Sequence, residues 1–264
     1  MTETTSDTIA ETIDHRAPYR VRHELHRRLL TVRQVQRLSP HMIRITLGGD
    51  DLEGFTSLGF DDHVKLIFAD PATGQTALST DGPRPPMRDY TPRHFDAVAQ
   101  TLEIDFALHD AGPATDWAAS ATVGQCVGIA GPRGSMVVPT GFDWHWLLGD
   151  ETALPAIARR LAELPASAVA TVRIQLNNPA DQRVLTSAAQ LDLKWVDALP
   201  AAVEALALPA GTGFVWAAGE HSDMAAVRRA VLAKPGVDPK RMRISAYWKR
   251  GAANHHEDLV SAAG

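Results

Sequence analysis

An antiparallel β-barrel followed by a parallel-sheet α/β domain is the architecture that the sequence predicts, and three observations predict it. Up to about residue 139, short β-rich runs follow one another at close spacing, parted by glycine and proline clusters, as in a small barrel. After Pro139 strand-like runs alternate with helix-like ones, the order of a parallel sheet covered on both faces. The composition, 45% hydrophobic and 22% charged over 264 residues, supplies ample apolar material for a folded core.

The elements follow in order. Residues 1–18 are polar, end in Ala17-Pro18 and are expected to be a disordered arm. Residues 19–30, crowded with Arg and His, read as a short surface helix or lead-in. Residues 31–38 and 42–47 alternate about a Ser39-Pro40 turn and read as neighbouring strands. Residues 63–68, 87–93, 101–108 and 125–130 supply further strands, with one helix near 114–120. In the second half, 144–148, 169–176, 193–196, 213–218 and 243–248 read as strands. Helices are expected from about 152 to 164, over 201–208 and over 222–233. The barrel domain is thus predicted over 19–140 and the α/β domain, with a C-terminal tail, over 141–264.

Charge and cysteine content narrow the chemistry. Lys plus Arg is 26 against 31 for Asp plus Glu, a formal charge of −5, which argues against a general nucleic-acid coat. Cys126 is the single cysteine, so neither an internal disulfide nor a cysteine-built metal cluster is possible. No apolar run has the length of a membrane span. The opening MTETTSDTIAETIDHR lacks a basic stretch followed by an apolar one, so a cytoplasmic location is expected. Asn254-His255-His256-Glu257-Asp258 reads as a solvated tail, and no metal site is expected.

Three elements carry chemistry. In Arg88-Asp89-Tyr90-Thr91 an arginine fork suits a pyrophosphate, an aromatic ring suits a flat cofactor, and a hydroxyl suits a ring nitrogen. Taken alone, the same residues also suit an edge strand. In Gly112-Pro113-Ala114-Thr115 a helix begins with free backbone N–H groups, which bind phosphate oxygens or merely cap a connecting helix. Gly149-Asp150-Glu151-Thr152 lies at the carboxyl end of the first parallel strand, where open α/β sheets bind ligands, and Ala218-Gly219-Glu220 ends a later strand in the same way. These acids equally suit helix caps.

In this order the motifs R-D-Y-T, D-F-x-x-H-x-x-G-P-A-T-x-W-A, G-P-R-G-S, G-D-E-T-A-L-P-A, A-G-E and Y-W-K-R-G resemble the siderophore-interacting proteins. These are flavin-dependent ferric-siderophore reductases of the ferredoxin-reductase-like superfamily, and the resemblance runs from about Thr31 to Gly251. It implies a barrel that holds FAD and an α/β half that receives NADPH or NADH. Arg88 would meet the flavin pyrophosphate, Tyr90 would pack on the flavin and Thr91 would sit near its reactive nitrogen. Asp105, His109 and Trp117 would line the cofactor, and Ala114 and Thr115 would face its phosphates. Asp150, Glu151, Thr152, Ala153, Gly219 and Glu220 would border the nicotinamide nucleotide. No catalytic acid, base or metal ligand is strictly required, because the flavin accepts two electrons and releases them singly. The run Arg173-Ile174-Gln175-Leu176-Asn177-Asn178 carries no acid, which leans towards the 2′-phosphate of NADPH.

The acceptor implied is a ferric siderophore, clamped by Lys65, Arg133 and Lys249. The alternatives are a general flavin reductase or a ferredoxin-fed enzyme of the same fold, and a flavin- or siderophore-binding carrier without turnover.

Overall fold

The structure is a computed structural model that describes residues 15–69, 85–108, 112–252 and 257–260. Its first half contains β1 (Tyr19–Arg22), β2 (Arg27–Ser39), β3 (Met42–Gly48), β4 (Val64–Ile67) and β5 (Met87–Tyr90). There follow β6 (His94–Asp96), β7 (Thr101–Ala107), α1 (Pro113–Ser120), β8 (Cys126–Ala130) and β9 (Gly134–Val137). The second half contains β10 (Trp144–Gly149), α2 (Leu154–Glu163), β11 (Val169–Gln175), β12 (Gln190–Val196) and α3 (Leu199–Glu204). It ends with β13 (Gly213–Glu220), α4 (His221–Leu232), β14 (Met242–Trp248) and β15 (Glu257–Val260).

Seven antiparallel strands form the barrel sheet in the order β5-β4-β8-β2-β3-β7-β6. Strand alternation explains its core: Ile43, Ile45 and Leu47 of β3 meet Leu102, Ile104 and Phe106 of β7 on one face, all buried. Charged neighbours on the other face pair instead, as Arg44 does with Asp105. Strands β1 and β9 form a separate two-stranded ribbon.

The second sheet runs β12-β11-β10-β13-β14-β15, parallel except for β15. Helix α2 packs Leu154, Ile157 and Leu161 on one face, and α3 and α4 pack Val203, Met224 and Val227 on the other. Every residue of β10 is buried, as a central strand covered on both faces requires. The strand order reverses at β10, with β11 on one side and β13 on the other. That reversal leaves a crevice at the carboxyl ends of β10 and β13, beside Gly149 and Glu220.

The barrel and parallel-sheet architecture is as expected, but several elements differ. Residues 19–22 are β1 and residues 27–30 begin β2, rather than a helix; in β2 Arg28, Leu30 and Val32 turn inward at every second position. Strands β6, β9 and β15 add to the expected set, β12 begins earlier, and α3 stops at Glu204. Part of the expected C-terminal tail is therefore ladder. Residues 1–14 of the expected arm lie outside the described residues, whereas Arg16 is 3.3 Å from Asp143.

Candidate functional site

A cavity of about 140 Å³ opens where the two halves meet. The barrel contributes His63, Tyr90, Thr91 and Asp105, and the carboxyl edge of the parallel sheet contributes Glu151, Thr152, Tyr247 and Trp248. Tyr90 is the last residue of β5, and its ring leans on Phe106 with centroids 4.4 Å apart. Burial raises its phenol above the usual tyrosine range. Thr91 is 7% exposed, and its side chain hydrogen-bonds to the phenol of Tyr247 across the junction. Arg159 of α2 fixes this corner: its guanidinium donates to Ser57 Oγ (2.9 Å), Ser57 O (2.8 Å) and Pro92 O (2.9 Å). The residue that follows Thr91 is thereby tied to the helix that begins at the carboxyl edge of the parallel sheet.

The acids at that edge face inward. Asp150 Oδ1 accepts the N–H of Thr152 at 2.9 Å and its hydroxyl at 2.5 Å. Oδ2 accepts the Glu220 N–H and the Trp248 indole N–H, both at 2.9 Å. One carboxylate thus joins the ends of β10, β13 and β14. Desolvation raises its pKa, against the opposing effect of these donors. Gly219 is required beside it, since a Cβ there would lie 2.7 Å from Asp150 Oδ2 at a φ of +156°. Glu220 caps α4 through the N–H groups of Ser222 and Asp223 and also accepts the Arg250 N–H. Ala153 is fully buried in the core below. Only Glu151, held by Asn177, and Thr152 line the cavity from this group.

On the barrel side Asp105 is buried between Arg44, which donates at 2.7 and 3.0 Å, and Arg183 at 3.6 Å. Arg88 donates to the Met87 carbonyl. Helix α1 begins at Gly112 without a side-chain cap, leaving the first N–H groups of Ala114 and Thr115 for a ligand or solvent. Trp117 packs between Phe68 and Phe106 as core, and His109 lies outside the described residues.

Of the three expected acceptor cations, only Arg133 lines a cavity described among these residues. Lys65 pairs with Asp89 at 2.8 Å, Lys249 is exposed just beyond Trp248, and Arg133 lines a second cavity of about 370 Å³. The two cavities share His63. Arg173 does not reach the carboxyl edge of the sheet: it is buried and donates to Asp192, because it sits mid-strand rather than at the strand end. It cannot serve as the 2′-phosphate partner. Sequence reasoning assigned His63 no role, and Tyr247 and Trp248 none beyond their place in the Y-W-K-R-G motif. The last two end a parallel strand, the signal already applied to Asp150 and Glu220.

The siderophore-interacting FAD-binding domain matches residues 31–136, and the siderophore-interacting protein family matches residues 142–251. The chain belongs to the siderophore-interacting protein family. It is similar to the NADPH-dependent ferric-chelate reductase of Escherichia coli, with 39% identity over 248 residues, 88% of this chain and 97% of that one. The ferric vibriobactin reductase of Vibrio cholerae shares 30% identity over 252 residues, 88% of this chain and 93% of that one. The crystal structure of a siderophore utilization protein from T. fusca superposes with a TM-score of 0.82 at 38% identity, covering 90% of this chain and 98% of that chain. In this family member the donor set suits a flat, anionic dinucleotide: aromatic side chains at the cavity, an arginine on β5 and an uncapped helix start.

Proposed function

We propose that this chain is a ferric-siderophore reductase that passes electrons from NADPH or NADH through FAD to a ferric siderophore and releases Fe(II). The observation that carries the reading is the single cavity in which Tyr90 and Thr91 of the barrel meet Thr152, Tyr247 and Trp248 of the parallel-sheet edge. When bound, FAD takes two electrons from reduced nicotinamide and yields them one at a time, so one NAD(P)H serves two Fe(III) chelates. The barrel, residues 19–140, is the FAD domain, and residues 141–264 form the NAD(P)H domain.

The protein's part is to bind and orient. Arg88 neutralises the FAD pyrophosphate, the N–H groups of Ala114 and Thr115 take its phosphate oxygens, and Tyr90 and Thr91 hold the ring system. Asp105 presents a carboxylate whose charge Arg44 already balances. Glu151 and Thr152 border the nicotinamide, while Asp150, Glu220 and Gly219 hold that border in shape. Arg133 supplies charge for an anionic chelate, Lys249 adds to it, and Lys65 contributes least because Asp89 pairs with it. Oxygen donors hold Fe(III) far better than Fe(II), so reduction loosens the chelate.

No helix among the described residues is long and apolar enough to cross a membrane; the compartment we assign is the cytoplasm. The test is a visible spectrum of the purified protein, followed by anaerobic addition of NADPH, NADH or reduced ferredoxin with a ferric chelate and an Fe(II) trap. A yellow protein that bleaches and yields Fe(II) is expected. A preparation that cannot be loaded with FAD would overturn the reading.

A further inference from the structure

We infer that residues 176–189, between β11 and β12, form a strap that sets the two walls of the cavity against each other, with Asp181 as its latch. Asp181 is thereby a positioning residue for the entry of electrons from NAD(P)H. The inference rests on the reductase reading and assigns the strap to one of its two electron transfers.

The latch joins the two halves of the chain. Asp181 ends a single 3₁₀ turn, Pro179–Asp181, which Asn178 caps by accepting the Ala180 N–H at 2.9 Å. Asp181 is buried, and its Oδ1 accepts the Ser39 hydroxyl at 2.7 Å and the His41 N–H at 2.8 Å. Its Oδ2 lies 2.9 Å from His41 Nδ1. Ser39 and His41 flank Pro40 at the turn from β2 to β3, on the barrel. A buried carboxylate is stable only with such donors, so the barrel turn and the strap are held or released together.

From the latch the strap reaches both walls. Just after Asp181, Arg183 lies 3.6 Å from Asp105 Oδ2, and just before it Asn177 donates to Glu151. Asp105 lines the cavity from the barrel and Glu151 from the edge of the parallel sheet. The barrel turn converges on the same Asp105. His41 O accepts the Leu108 N–H at 2.7 Å, just beyond β7, and Arg44 of β3 holds both Asp105 oxygens. Farther along, Leu185 packs on the core and Ser187 donates to Leu161 O at 2.6 Å, fixing the strap to α2. Release of Asp181 therefore frees the middle of a segment whose neighbours touch both walls. None of the residues lining the 370 Å³ cavity beside Arg133 belongs to the strap. Its contacts thus bear on the nicotinamide side of the site rather than on the acceptor side.

The test compares Asp181→Ala with Asp181→Asn in the full chain loaded with FAD. Asparagine keeps an oxygen for Ser39 and the His41 N–H, and His41 can take the tautomer whose Nδ1 accepts from the amide; alanine removes all three contacts. Stopped-flow reduction of the flavin by saturating NADPH or NADH should slow about tenfold in the alanine variant and less than about twofold in the asparagine variant. Reoxidation of dithionite-reduced flavin by a ferric chelate should change less than about twofold in either. Hydrogen–deuterium exchange gives a readout independent of turnover: alanine should raise exchange at 39–41 and across 176–189 together, and asparagine at neither. Where Asp181→Ala does not fold, Ser39→Ala/His41→Ala removes two of the contacts from the barrel side and should give the same pattern. Reduction at the wild-type rate, equal slowing of reduction and reoxidation, or exchange raised at 39–41 alone would overturn the inference. Wild-type protein that binds FAD but is reduced by neither NADPH nor NADH would overturn the reductase reading, and with it the role in electron entry; the paired rise in exchange would still establish the latch.

Discussion

Replacing Asp150 by asparagine asks whether one buried carboxylate holds the carboxyl edge of the parallel sheet. Its two oxygens each take two donors, from Thr152 on one side and from Glu220 and Trp248 on the other. An amide has an acceptor on one side only, so in either orientation two donors face an NH₂ group. A buried donor without an acceptor costs about 1–3 kcal/mol, so Asp150→Asn should destabilise the fold by about 2–6 kcal/mol. The lower end is expected, because the amide can turn its NH₂ towards half-buried Thr152, whose donors reach water. For a chain of this size each kcal/mol moves the melting midpoint by about 2–4 °C, giving a fall of at least about 4 °C.

Circular dichroism melts from pH 4 to pH 8 provide the check. The folded pKa of Asp150 is raised, so its contribution to stability is fully present below the unfolded pKa and is lost as pH rises through the folded one. The gap between wild type and variant should therefore narrow towards pH 8. A midpoint within about 2 °C of wild type, with a raised KM for NAD(P)H, would refute the reasoning and turn the carboxylate towards the nucleotide.

Further outcomes follow from other contacts. Arg88→Ala should weaken FAD affinity about tenfold or more in a fluorescence titration while the protein stays folded, since a charge-assisted pyrophosphate contact contributes roughly 1.5–3 kcal/mol. Arg159→Ala removes three hydrogen bonds across the junction and should lower stability by about 2–4 kcal/mol, with kcat falling because Pro92 and Thr91 lose their anchor. A lower melting midpoint with unchanged kcat would count against that positioning role. His145 is fully buried, and burial, then the nearby Arg160 charge, push its pKa down to about 3. Its folded pKa is lowered, so stability is present above the unfolded pKa near 6.5 and is lost as pH falls, by up to about 1.4 kcal/mol per pH unit. His145→Leu should flatten the acid side of the stability profile in urea titrations between pH 6.5 and 4; an unchanged slope would refute this. Raising salt should raise the KM for an anionic chelate more than for a neutral one in steady-state assays.

Much of the fold was legible because burial imprints a period on the chain. Strands β3 and β7 alternate, β10 is apolar throughout, and glycine and proline mark the boundaries. Strands β1, β9 and β15 left weaker marks. Each has four residues, and β1 carries arginines on an exposed surface, so its identity depends on a partner distant in sequence. Residue type and strand end singled out the R-D-Y-T and G-D-E-T segments, and both contribute residues to the cavity wall. The inward turn of Asp150 and Glu220 was not, since that depends on which N–H groups other strand ends bring near. The sequence grouped Lys65, Arg133 and Lys249 by sign; the structure gives Lys65 the partner Asp89 and sets Arg133 at a cavity beside His63.

By itself the sequence determined the two-part architecture and the family, and it supplied the candidate segments for a flat, anionic cofactor. These are properties of local patterns: period two, strand–helix alternation and motifs within a few residues. The tertiary structure alone decided that Tyr90 and Thr91 share a cavity with Tyr247 and Trp248, that Asp150 ties strands together, and that Arg133 lies beside Arg20 and Arg22. The physical reason is range. Periodicity and turn chemistry act between neighbours along the chain, whereas a cavity wall or a carboxylate's partners are set by which distant strand ends the sheet order brings together.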